Sequence, residues 1–211
     1  MKRLYYLFDP LCGWCYGAGK VLATLAQRSG EQLHMLPSGL FSGEGARPMD
    51  AAFAAYAWSN DQRIERLTGQ PFSALYRSQV LDNSQQMFDS GPATVALTAV
   101  SLTAPQREPE ALKAIQHARY VEGADITAIP VLLALLRGLG LEDAAARLAA
   151  PDVALMDANS ARVAQAQQLM RQMGAQGVPS FVLAQDGQQQ LLNASAAFSD
   201  PEAFVAQWLA A

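Results

Sequence analysis

Cysteine and histidine are scarce in this chain of 211 residues, with two of each. A structural zinc site needs four ligands. His34 and His117 stand far in sequence from each other and from the cysteines, so no metal is expected. A secreted scaffold held by disulfides needs more than one cysteine pair. Charge is sparse as well: Asp, Glu, Lys and Arg make up 16% of the chain, the net charge is −4, and no Lys/Arg run occurs. Nucleic-acid binding therefore has no electrostatic support. Long apolar runs are missing too; the longest stretch, Ile129–Leu136, carries Pro130 and is too short to span a bilayer. Lys2-Arg3 and the apolar run behind them stop at Asp9-Pro10, short of a signal-peptide core, and no small-residue cleavage site follows. These absences lead us to expect a cytoplasmic protein with no membrane and no nucleic-acid partner. They do not imply disorder, because 51% of the residues are apolar and can form a core.

Leu4–Phe8 reads as a buried strand that Asp9-Pro10 ends. From Trp14 to Arg28, Ala18, Val21, Leu22 and Leu25 recur at helical spacing, and Ser29-Gly30 closes the helix. Gln32–Pro37 reads as a second strand, which completes a βαβ unit. The middle of the chain is rich in Ala, Leu and Gln, with helices expected over Glu108–Val121, Thr127–Arg137 and Asp157–Met173. No fixed repeat period supports a solenoid. Strands return at Ser180–Ala184 and Gln189–Leu192 around Asp186-Gly187, a two-residue hairpin turn. A last helix starts at Ser199 or Asp200 with Pro201 in its first turn. The expected fold is α/β, βαβ…ββα with a large all-helical insertion. Residues 1–44 and 175–211 would form the α/β part, and residues 45–174 the helical one.

The two cysteines are three apart, Cys12-Gly13-Trp14-Cys15, after a strand and at the opening of a helix. Positions so spaced share a helix face, so the sulfurs can meet. Free N–H groups and the helix dipole favour an anion at that end, which lowers the pKa of a cysteine placed there. Cys12, at the helix start, is the expected nucleophile, and Cys15, one turn inside, the resolving thiol. Gly17-Ala18-Gly19-Lys20 fails as a phosphate loop in spacing and in the residue after the lysine. It is read as room for close helix packing. Asp9 is either a strand stop or, if close in space, a group that raises the thiol pKa.

Asp9-Pro10-Leu11-Cys12-Gly13-Trp14-Cys15-Tyr16-Gly17, with Gly177-Val178-Pro179-Ser180-Phe181 before the third strand, resembles the DsbA family. Within it, the likeness is to the FrnE-like branch of protein disulfide isomerases. The resemblance implies a thioredoxin-like fold, a cis Pro179 facing the cysteine pair, and Val178 backbone groups that pair with an extended substrate peptide. Catalytic roles fall on Cys12, Cys15 and Pro179; Gly13, Trp14 and Val178 are candidate substrate contacts, with Trp14 expected to be exposed. DsbA has Pro-His between its cysteines where this chain has Gly13-Trp14. A weaker oxidant is therefore expected, between the roughly −120 mV of DsbA and the roughly −270 mV of thioredoxin.

The partner expected is a protein or peptide disulfide or dithiol. No cofactor is needed for dithiol exchange, and glutathione is an open co-substrate. Two other classes compete: a glutathione-dependent transferase or isomerase of the kappa-class type, and a redox-inert binding module built on the helical block. Relatives of the first kind typically carry a single nucleophile, whereas this chain keeps Cys15. The second leaves the placement of Cys12 and Cys15 unexplained. Nothing in the sequence selects monomer or oligomer.

Overall fold

The computed structural model describes residues 2–210. Strand β1 (Arg3–Phe8) leads into helices α1 (Gly13–Gly17) and α2 (Gly19–Ser29) and strand β2 (Leu33–Pro37). A largely helical stretch follows: β3 (Arg47–Pro48), α3 (Ala51–Thr68), α4 (Ala74–Tyr76), β4 (Met87–Phe88), α5 (Gly91–Thr103), α6 (Glu108–Tyr120), α7 (Ile129–Gly138), α8 (Glu142–Ala149) and α9 (Val153–Met173). The chain closes with β5 (Ser180–Gln185), β6 (Gln188–Leu191), α10 (Ala196–Ser199) and α11 (Pro201–Ala210).

The four-stranded sheet has the order β2-β1-β5-β6. β1 runs parallel to β2, with Leu4 opposite Leu33, and antiparallel to β5, with Tyr6 opposite Phe181. Successive strand residues point to opposite faces, and both faces of β1 are covered. Leu4, Tyr6 and Phe8 join a cluster with Val21, Leu22 and Leu25 of α2 and Phe204, Val205 and Trp208 of α11. Leu7 joins Leu36, Val182 and two residues of α9, Ala166 and Leu169. Burial on both faces is why β1 reads as an unbroken apolar run. The chain thus has the thioredoxin-like α/β fold expected.

Capping sets the limits of α3 and α9, the two longest helices among the described residues. The Asp50 carboxylate accepts from the Phe53 N–H (2.7 Å) at the start of α3, and the Asp152 carboxylate from the Leu155 N–H (2.8 Å) at the start of α9. Gly69 and Gly174 end these helices with φ of 68° and 66°. In the β5–β6 turn both Asp186 (φ 51°) and Gly187 (φ 81°) adopt positive φ, as a type I′ hairpin turn requires.

Three expectations need correction. The helix expected over Trp14–Arg28 is two helices, broken at Ala18 (ψ 2°). The break lets the backbone press on α3 and the chain after it. A Cβ on Gly17 would lie 2.7 Å from Ile64 Cγ2, and one on Gly19 2.8 Å from Gln70 Nε2. α9 starts at Val153 rather than Asp157, because Asp152 caps it. The helical stretch also holds a two-stranded ribbon, with Arg47 paired to Phe88 and Pro48 to Met87.

Candidate active site

The turn from β1 into α1 is built around Asp9, which is fully buried. Its carboxylate accepts from the Leu11 N–H (2.9 Å), the Phe41 N–H (3.1 Å) and the Ser90 hydroxyl (2.8 Å). Its carbonyl accepts from the Cys12 N–H at 3.1 Å. Burial raises the Asp9 pKa, opposed by these three bonds and by the charge of Arg119. Asp9 is thus more than a strand stop: it holds the segment that presents the cysteines.

Cys12 occupies the N-cap position of α1, and both cysteines are free thiols. Cys12 is 7% exposed and Cys15 0%. The Cys15 thiol is pushed well above its ordinary pKa, first by burial and then by its contact with Cys12. The Cys12 thiol lies 3.4 Å from the Val178 carbonyl, and the Val178–Pro179 peptide bond is cis. The end of β1 and the start of β5 therefore bring Cys12, Val178 and Pro179 together, across more than 160 positions of sequence.

The helical stretch covers the same segment from the other side. The Tyr120 hydroxyl of α6 donates to the Leu11 carbonyl at 2.7 Å. Asp61 of α3 is 4% exposed and accepts from the Tyr76 hydroxyl at 3.0 Å. Burial raises its carboxyl to about 7. Arg119 is buried among the rings of Tyr76, Phe88 and Tyr120, whose centroids lie 5.5, 5.3 and 5.8 Å from its Cζ. Sequence reasoning missed Asp61, Tyr76, Arg119 and Tyr120. A signal existed for Asp61: it shares the buried face of α3 with Ala54, Ile64 and Thr68, an acid on an otherwise uncharged stripe.

Trp14 departs from expectation. It is half-buried, with its ring edge-on to Phe198 of α10 (5.2 Å) and the Arg63 guanidinium above it (5.6 Å). α10 supplies the surface that sequence reading did not foresee. Gly13 is partly exposed, and a side chain there would strike Asp61. Lys20 is exposed and donates to the Thr68 carbonyl at the end of α3 (2.8 Å). His34 lies tilted against the Tyr5 ring in the sheet, and His117 pairs with Glu122 away from the cysteines.

Among the described residues, no group of three or more His, Cys, Asp or Glu is placed to hold a metal ion. No described helix is long and apolar enough to cross a membrane. The site offers one thiol at its rim, a second sealed behind it, and a peptide carbonyl beside the first.

The family model for the DSBA-like thioredoxin domain matches residues 4–206. The chain is similar to the solved structure of the cytosolic disulfide reductase DsbM from Pseudomonas aeruginosa, with 35% identity, a TM-score of 0.87, and coverage of 99% of this chain and 98% of that one. A structure of the same protein with GSH matches at 33% identity and a TM-score of 0.82, over 99% and 100% of the two chains. A candidate protein disulfide isomerase from Nitrosomonas europaea shares the fold at 23% identity, with a TM-score of 0.78 and coverage of 99% and 98%. No curated protein matches the chain.

Proposed function

This chain belongs to the DSBA-like thioredoxin domain family and is a thiol–disulfide oxidoreductase, and from that premise we propose that it reduces disulfides through Cys12 and Cys15, with Cys12 attacking and Cys15 resolving. The observation that carries this reading is the unequal burial of the two thiols beside the Val178 carbonyl. The Cys12 thiolate attacks one sulfur of a substrate disulfide, breaks that S–S bond, and expels a thiolate that takes up a proton. Cys15 then loses its proton and attacks the Cys12 sulfur. The Cys12–Cys15 disulfide forms, and the second substrate thiol leaves. The substrate gains two electrons and the enzyme pair loses two. Pro179 shapes the strand entry that faces Cys12, while Val178 backbone groups, Gly13 and Trp14 contact an extended peptide.

Glutathione is the proposed electron donor: two molecules reduce the Cys12–Cys15 disulfide and leave as glutathione disulfide. Support comes from a 33% identical relative whose structure was solved with GSH. A cytoplasmic setting suits this direction of flow, since disulfides there are transient. The test is equilibration of the wild type and of Cys12→Ser and Cys15→Ser in glutathione redox buffers, followed by mass spectrometry. A reversible two-electron transition in the wild type is expected, with a trapped glutathione adduct on Cys12 in Cys15→Ser and neither in Cys12→Ser. A wild type that shows no dithiol–disulfide transition refutes the mechanism.

A further inference from the structure

Position 13 has no side chain, and the space beside it is filled from α3. A Cβ on Gly13 would lie 2.5 Å from Asp61 Oδ1 and 3.1 Å from Ile64 Cδ1. The other carboxylate oxygen, Oδ2, receives the Tyr76 hydroxyl at 3.0 Å. We propose that Asp61 is a positioning residue for the dithiol: lodged where a side chain between the cysteines would stand, its ionisation sets how strongly the reduced pair is favoured at a given pH. The proposal rests on the dithiol reading above and assigns that site a regulator contributed by the helical stretch.

Several elements present charged or titratable groups to Asp61. α4 brings Tyr76 and α6 brings Arg119 and Tyr120, while α1 sets Gly13, the chain neighbour of Cys12, against the carboxylate. Arg77, in the helical turn that continues directly from α4, faces Trp58 instead, and α10 contributes the apolar Phe198. Burial holds the Asp61 carboxyl up at about 7, outweighing the Tyr76 hydrogen bond and the Arg119 charge, which pull it down. Below that pH the carboxyl is neutral. Above it, a buried anion stands against the turn that must carry the Cys12 thiolate, and like charges disfavour each other. The effect is reciprocal: Asp61 holds its proton more tightly when Cys12 is a thiolate than when Cys12 is in a disulfide.

The dithiol–disulfide equilibrium constant of the wild type and of Asp61→Asn, measured in glutathione buffers at pH 5.5 and 8.5, tests this. We expect the Asn variant to be more oxidising by about tenfold at pH 8.5, the equivalent of one pKa unit, and unchanged within about twofold at pH 5.5. A merely structural role would shift both pH values alike, and that result overturns the proposal. NMR titration of Asp61 in the wild type provides a second readout that needs no variant. A pKa higher in the dithiol than in the disulfide form supports the proposal, and identical values in the two forms refute it. Loss of the redox transition in the wild type itself would instead sink the dithiol reading, so the two failures are distinguishable.

Discussion

Gly13 and Gly138 should respond in opposite directions to the same substitution by alanine. At Gly138, the last residue of α7, an added Cβ meets nothing within 4 Å, and φ is not positive. Alanine there restricts the unfolded chain and favours the helix, a gain of about 0.5–1 kcal/mol. At Gly13 the same methyl group must displace the Asp61 carboxylate, which is tied to Tyr76 and backed by Ile64. Overpacking of a closed site costs about 1–3 kcal/mol. Subtracting the helix gain leaves Gly13→Ala destabilising by up to about 2.5 kcal/mol. Urea denaturation of the reduced protein reads both changes as shifts of midpoint at constant slope. Adding Asp61→Ala to Gly13→Ala removes the clash, so the pair should cost less than the sum of the single changes by about 1 kcal/mol. If Gly13→Ala stabilises as Gly138→Ala does, or if the double variant is additive, Asp61 does not occupy the space at position 13 and the packing argument fails.

Arg162 of α9 bonds the Glu108 carboxylate, the Thr98 hydroxyl (2.9 Å) and the Met35 carbonyl (2.9 Å), joining four elements. Burial raises Glu108 to about 7 from its ordinary 4.5, so ionisation of this group subtracts from stability as pH rises through 7. Arg162 pulls the Glu108 carboxyl down, so Arg162→Met should cost up to about 3–5 kcal/mol at pH 8, where the carboxylate loses its partner and is driven to take up a proton, and distinctly less at pH 5, where Glu108 is already protonated. A deficit that does not depend on pH, read by urea denaturation, would refute that account. Trp14→Ala should raise KM for a peptide disulfide several-fold while turnover of a small aliphatic disulfide changes by less than about twofold, because one aromatic contact contributes about 1 kcal/mol. Equal losses on both substrates would assign Trp14 to packing against Phe198 rather than to substrate.

Much of the α/β part was legible because its signals are local. β1 is a short apolar run with a stop, Asp186-Gly187 is a turn whose residues tolerate positive φ, and Cys12 and Cys15 follow a strand and open a helix. The meeting of Cys12 with Val178 and Pro179 came from family resemblance, since no rule of spacing joins residues so far apart. The break at Ala18 was not legible. The repeat of Val21, Leu22 and Leu25 continues the pattern of one helix, and only the contacts of Gly17 with Ile64 and of Gly19 with Gln70 interrupt it. Tyr120 and Arg119 were hidden for a similar reason. An aromatic and an arginine near the end of α6 are ordinary in sequence, and their role depends on which helix face is laid over Leu11. The sequence groups α9 with the helical stretch, yet its Ala166 and Leu169 pack on Leu7 and Val182 of the sheet.

The strand order of the main sheet bears on how the chain is made. β1 gains its first neighbour once Pro37 has been synthesised, but its other edge waits for Ser180–Gln185, near the end of the chain. Both thiols leave the ribosome more than 160 residues before Val178, which lies against one of them. From the completion of Pro37 until Ser180 is made, the nascent chain carries an unpaired apolar strand edge close to two uncovered thiols. A chain halted before Ser180 would keep both hazards, open to strand addition and to cross-linking by oxidation.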